Sequence, residues 1–188
     1  TPMGGTLRIP AGTYLTGSLF LHSNMTLELT PDTVLLGVVD ESAYPMVPSR
    51  VAGVEMFWPA GLLNVHHAEN VTICGGGTVD GQGEYWWKKY WGDDRLGGMR
   101  GVYTPKGVRW AVDYDCPRPR NVIVYESKHV TISGLTSRQS PFWNLHLCYS
   151  EDLLVENIQI GANAGPSTDG IDIHSCNGAV IRRCRITC

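Results

Sequence analysis

The chain has 188 residues, with 15 Lys and Arg against 18 Asp and Glu, a net charge of −3, and 43% hydrophobic residues. That length supports one hydrophobic core, and the even mix of charges argues against nucleic acid or an anionic membrane as a partner. No apolar run is long enough to span a bilayer; there is no basic-then-apolar leader, and a start at Thr1 rather than Met points to processing or trimming upstream.

In chain order, the first readable unit is "LFLHSNMTLEL" (19–29), two short alternating strands around a polar turn. Next come "LLNVHHAENVTI" (62–73), "NVIVYESKHVTI" (121–132), "NLHLCYSEDLLV" (144–155) and "GIDIHSCNGAVI" (170–181). These four superpose without gaps. Their apolar pairs are Leu63/Val65 with Val71/Ile73, Val122/Val124 with Val130/Ile132, Leu145/Leu147 with Leu153/Val155, and Ile171/Ile173 with Ala179/Ile181. The last three units follow one another at 23 and 26 residues, and Val71 to Val130 spans 59, one coil plus an insertion. Met25 lies 46 residues before Val71, which reads as two coils. A fixed period in this range, with period-2 strands and no evident amphipathic helices, predicts an all-β parallel β-helix solenoid, one domain over 1–188. A β-sandwich would not repeat the same internal offset four times.

The insertion, about 84–117, holds Trp86, Trp87, Trp91 and Trp110. These rings either stack on sugars or cover the flank of the coil; covering is the favoured reading. The six cysteines, Cys74, Cys116, Cys148, Cys176, Cys184 and Cys188, contain no paired CxxC. His66 and His67 are adjacent and point to opposite faces of a strand, so no metal site is expected. The cysteines read as small packed hydrophobes, with disulfides open if the compartment is oxidising.

"GGGTVDGQG" (75–83), "CPRPRNVIVYESKHVTISG" (116–134), "SPFWNLH" (140–146) and "STDGIDI" (167–173), in that order and spacing, resemble the polygalacturonase family, glycoside hydrolase family 28. "IPAGTYLTGSLFLHSNMTLEL" (9–29) resembles its N-terminal coil. The resemblance implies a right-handed, pectin-lyase-like parallel β-helix that hydrolyses α-linked galacturonate backbones with inversion. It implies no cofactor, a pectic polysaccharide or oligogalacturonide as partner, a monomer, and secretion to the medium or periplasm. The family's Asn-Thr-Asp motif falls on Ser167, Thr168 and Asp169, with Ser in place of Asn, which leaves rhamnogalacturonan open as a substrate. Its Asp-Asp motif is expected one coil later, near 192–195, past Cys188. The β-helix is therefore expected to be incomplete at its C-terminal end, and residues 1–188 alone to be inactive.

On this resemblance Asp169 is the candidate catalytic carboxylate, holding and deprotonating water; the plain alternative is an Asp-Gly turn residue. Alternation turns Ile171 and Ile173 inward and Asp172 outward, in register with His146, so Asp172 and His146 are candidate substrate contacts or a surface ladder pair. Trp143, in register with Asp169, either shapes a subsite or packs. Arg118 either contacts a substrate carboxylate or forms a structural salt link. Rival functions on this fold are a Ca²⁺-dependent lyase, for which the outward faces show no Asp/Glu stack, and a non-catalytic carbohydrate-binding solenoid.

Overall fold

The computed structural model describes residues 4–108 and 111–188. Three parallel sheets run the length of the chain, and each coil except the last contributes one strand to each sheet. The first sheet stacks Gly5–Ile9, Met25–Leu29, Glu69–Gly75, Lys128–Ser133, Glu151–Glu156 and Asn177–Arg182. The second stacks Gly12–Thr16, Thr33–Gly37, Thr78–Asp80, Thr136–Arg138, Gln159–Gly161 and Arg185–Ile186. The third, which carries the candidate site, stacks Leu19–Leu21, Leu63–His66, Val122–Tyr125, Leu145–Cys148 and Ile171–His174. This is the parallel β-helix expected from the repeat, and it is right-handed.

The superposed units are the coils themselves. Leu63 pairs with Val122, Val122 with Leu145, and Leu145 with Ile171. Val71, Val130, Leu153 and Ala179 align likewise in the first sheet. Such columns are buried in the middle coils, where Leu63, Val71, Val124 and Ile73 have no exposed surface. At the last coil the inward rows end on Ile173 and Ile186, 45% and 43% exposed.

One spacing reads differently in three dimensions. Thr26 pairs directly with Thr72, so 46 residues separate neighbouring coils, not coils two apart. An antiparallel hairpin, Met46–Val51 with Val54–Pro59, takes up the difference. The connection that contains it, 38–62, has 25 residues, close to one coil, which is why the interval mimics two periods.

The segment after Asp80 is helical, contrary to the absence of helices read from the pattern: α1 is Gly83–Trp91, α2 Gly98–Tyr103 and α3 Val112–Asp115. Gly83, Trp86, Trp87 and Tyr90 form the buried face of α1, an i, i+3, i+4, i+7 series that Tyr85 and Trp91 on the other faces obscure. Trp86 packs edge-on against Tyr44, and the Trp87 Nε1–H donates to the Ser140 carbonyl at 3.0 Å. Both rings therefore cover the coil flank and are closed to a sugar. Trp91 is partly exposed beneath the Arg95 guanidinium, and Trp110 lies outside the described residues. All six cysteines are free thiols.

The corners are short and repeat. After the last four third-sheet strands the chain turns through His67, Glu126, Tyr149 or Ser175, all at positive φ. At the turn out of the first sheet, Gly75 has φ +125°, and a Cβ there would lie 1.9 Å from the Leu29 carbonyl oxygen. That oxygen accepts from the Gly76 and Gly77 amides, so it has no room to retreat. Gly75→Ala is expected to cost about 3 kcal/mol of stability, read as a lower denaturation midpoint in urea.

Candidate active site

Asp169 sits two residues before the strand Ile171–His174, and its main chain is fixed by the coil above. The Asn144 amide donates to the Asp169 carbonyl at 2.8 Å, and the Asn144 side-chain Nδ2 donates to the same oxygen at 3.0 Å and to Thr168 at 3.2 Å. Asn144 is itself buried, accepting from Ser137 Oγ at 2.7 Å. Ser137 in turn receives Asn121 Nδ2 at 2.9 Å. A ladder of buried, mutually satisfied polar groups thus sets where Asp169 begins.

The loop before Asp169 is held by α3. Ser167, at φ +53°, donates its hydroxyl to both Asp113 carboxylate oxygens at 2.9 Å. The same carboxylate pairs with Arg118. Arg118 is fully buried; it also donates to Cys116, Pro166 and Pro141 carbonyls, and its guanidinium lies over the Tyr90 and Phe142 rings. With all this occupied and no surface, Arg118 offers nothing to a ligand. Its expected contact with substrate is corrected to the structural link, and it clamps the loop that carries Asp169 from behind.

The register places His146 against Asp172 and Cys148 against His174. His146, however, has no exposed surface. Trp143 packs edge-on over it at 5.1 Å between ring centroids, and its Nε2 lies 3.0 Å from His174 Nδ1. Direct substrate contact by His146 is therefore corrected as well: it is the floor beneath Asp172. Trp143 is 6% exposed, stacked on Phe142 at 4.8 Å, so packing is its larger role.

Arg120 is the residue that the one-dimensional pattern does not single out; nothing in "RPR" separates it from Arg118. It is fully buried between the hairpin and the third sheet, donating to Ser49 Oγ at 3.1 Å and to the Arg50 carbonyl at 3.3 Å. The Trp58, Phe142 and Trp143 rings surround its guanidinium at 5.8, 5.3 and 4.6 Å. A buried cation of this kind needs a counter-charge, and Asp172 is the carboxylate that responds to it.

The Asp172 carboxyl is pushed up to about 7, chiefly by burial and then by the neighbouring Asp169 charge, with Arg120 opposing both. One Asp172 oxygen, Oδ2, is buried with no hydrogen-bond partner among the described residues. His146 is held neutral, chiefly by burial and then by Arg120, and His174 is lowered for the same leading reason. The site therefore joins a carboxyl that stays protonated towards neutrality to a second carboxylate three residues earlier. His146, Cys148 and His174 are the side chains here with the donor set for a metal.

A right-handed parallel β-helix with paired outward acids on one sheet defines the class. Within it, residues 53–188 match the family described as Glycosyl hydrolases family 28, and the chain belongs to that family. It is 36% identical to a "Probable polygalacturonase" of Vitis vinifera over 97% of this chain and 35% of that protein. It is 26% identical to Exopolygalacturonase A of Aspergillus niger over 97% of this chain and 39% of that one. Among solved structures, a hyperthermoactive exopolygalacturonase from Thermotoga maritima superposes with a TM-score of 0.80 at 29% identity, covering 96% of this chain and 44% of that chain. The chain thus spans little more than a third of the length of these sequence relatives.

Asp172 gives a pH signature with a definite sign. Its native carboxyl titrates above the roughly 3.9 of an unfolded Asp, so between about 4 and 7 the native chain holds the extra proton. This group's contribution to stability is full below about pH 4 and is lost as pH rises through about 7. Carboxyl-carbon NMR should place the Asp172 midpoint near 7, and Asp169→Asn should lower it by removing the repulsion.

Proposed function

We propose that the protein carrying this chain hydrolyses galacturonate-containing pectin backbones by inverting acid–base catalysis. The observation that carries the reading is Asp169, which by its sequence falls on the motif that resembles the glycosyl hydrolase family and whose carbonyl is fixed by two hydrogen bonds from Asn144. Inversion needs a carboxylate to activate water and a protonated carboxyl to deliver a proton to the leaving oxygen, typically about 6.5–9.5 Å apart. Asp169 takes the water. Outward side chains on stacked coils recur about every 4.8 Å, so a partner displaced sideways on the coil beneath supplies the remaining separation. We assign the proton donor to that coil, in the region of the relatives this chain does not span.

The substrate is a polyanion, and the protonation of Asp172 fits that. A neutral Asp172 can donate its O–H to a sugar oxygen, where an ionised one would repel the galacturonate carboxylate. Arg120 beneath adds a positive field without touching solvent. Trp143, His146 and Arg118 act as positioning residues: the first two floor the site and the last holds its loop. A polymeric substrate in plant cell walls implies action outside the cell. Among the described residues no helix is long and apolar enough to cross a membrane.

The test is reducing-end release from polygalacturonate by the full-length protein. Asp169→Asn is expected to lower kcat by about 10³-fold with KM little changed. An active wild type whose Asp169→Asn variant keeps its kcat would remove Asp169 from the chemistry. Release from rhamnogalacturonan alone would move the substrate to that branch.

A further inference from the structure

We infer that His146, Cys148 and His174 form a binding site for a zinc-class divalent transition metal, set into the third sheet. The fold produces the constellation. His146 and Cys148 are two apart on one strand and so share its outward face, while His174 is the direct register partner of Cys148 on the next coil. The ligating atoms of the three all lie within 4.8 Å of one another. A tetrahedral ion with bonds of about 2.0–2.1 Å to nitrogen and about 2.3 Å to sulfur holds its ligand atoms about 3.3–3.7 Å apart. The two imidazole nitrogens, at 3.0 Å, are already near that separation. The sulfur closes the remaining distance by side-chain rotation.

The chemistry of the donor set is borderline-soft. Two neutral imidazoles and one thiol suit zinc, cobalt and copper, and do not suit magnesium or calcium, which require oxygen ligands. At present His146 and His174 face each other nitrogen to nitrogen, with room for a single proton between two lone pairs. A divalent ion uses both lone pairs once the shared proton has moved to the other nitrogen of its own ring, and Cys148 releases its thiol proton to solvent as the metal–sulfur bond forms. Three protein ligands leave a fourth position for water.

The charges facing this spot are mixed. Asp172, in register with His146, and Glu55, bonded to Tyr149 across the hairpin, favour a cation; Arg50 and Arg120 oppose one. Cys148 and His146 are fully buried, whereas His174 is partly exposed, so an ion enters from the His174 side. Metal-ligand spacing rules read along the chain do not reveal the site, because its third ligand comes from the neighbouring coil.

Titration of the full-length protein with cobalt(II), in a phosphine reductant that keeps thiols free, tests the assignment. The expected result is one equivalent bound, with thiolate-to-cobalt charge-transfer absorption that zinc displaces. Cys148→Ser should abolish that absorption and His174→Ala should weaken binding by at least about tenfold, while Cys74→Ser leaves both unchanged. His174→Ala alters a side chain with solvent access and guards against loss through misfolding of the buried variant. No absorption in the wild type at saturating cobalt would overturn the site. So would absorption that survives both Cys148→Ser and His174→Ala.

Discussion

Everything in this molecule depends on parallel strands stacking in strict register, coil upon coil. Strand pairing about 4.8 Å apart leaves each outward side chain little choice of neighbour: it meets the residue at the same position one coil away. Asp172 meets His146 and His174 meets Cys148 because Ile171 and Leu145 pair inside. A slip of one residue would exchange faces, exposing the leucine and isoleucine columns and burying the acids. The hydrophobic columns therefore hold the functional face in place, and the chemistry outside depends on burial inside.

Two arginines, two residues apart, serve this frame in different ways. Arg118 has its counter-charge in Asp113 and ties α3 to the loop before Asp169. Arg120 lies among aromatic rings, with uncharged oxygens as its hydrogen-bond acceptors. Its electrostatic partner is Asp172, where burial and the nearby Asp169 outweigh it. The balance at Asp172 is thus a contest of desolvation and like charge against one buried cation. It leaves the Asp172 carboxyl titrating far above an ordinary aspartate, beside the Asp169 side chain.

Much of this was legible in the residues. Period-2 alternation repeated at a constant offset gives the coil, the inward rows and the pairing of Asp172 with His146. The motif around Asp169 marks where a carboxylate is presented. What alternation cannot show is what lies over the outward face. The connection 38–62 reads as a coil because it has a coil's length, and the hairpin 46–59 within it helps to bury Arg120. His146 looks exposed by parity and is covered by Trp143. The helical series in α1 is short and crowded by aromatics on its other faces. Each miss involves a layer outside the solenoid, where contacts come from distant segments.

The corners carry a consequence for how such a protein changes. Between third and first sheets, and between first and second, the connections are two or three residues long in every coil, with left-handed φ recurring at matched positions. Between the second and third sheets they vary from two residues, 17–18, to forty-one, 81–121. Lengthening a loop costs little once its ends are fixed, each doubling adding only about 0.6 kcal/mol. A residue added at a tight corner, in contrast, would unstack a column. One seam of the solenoid is therefore free to acquire new walls while the other two stay locked. Since Asp169 lies at the end of that open seam, the surroundings of the acid can be rebuilt without disturbing the strand that presents Asp172.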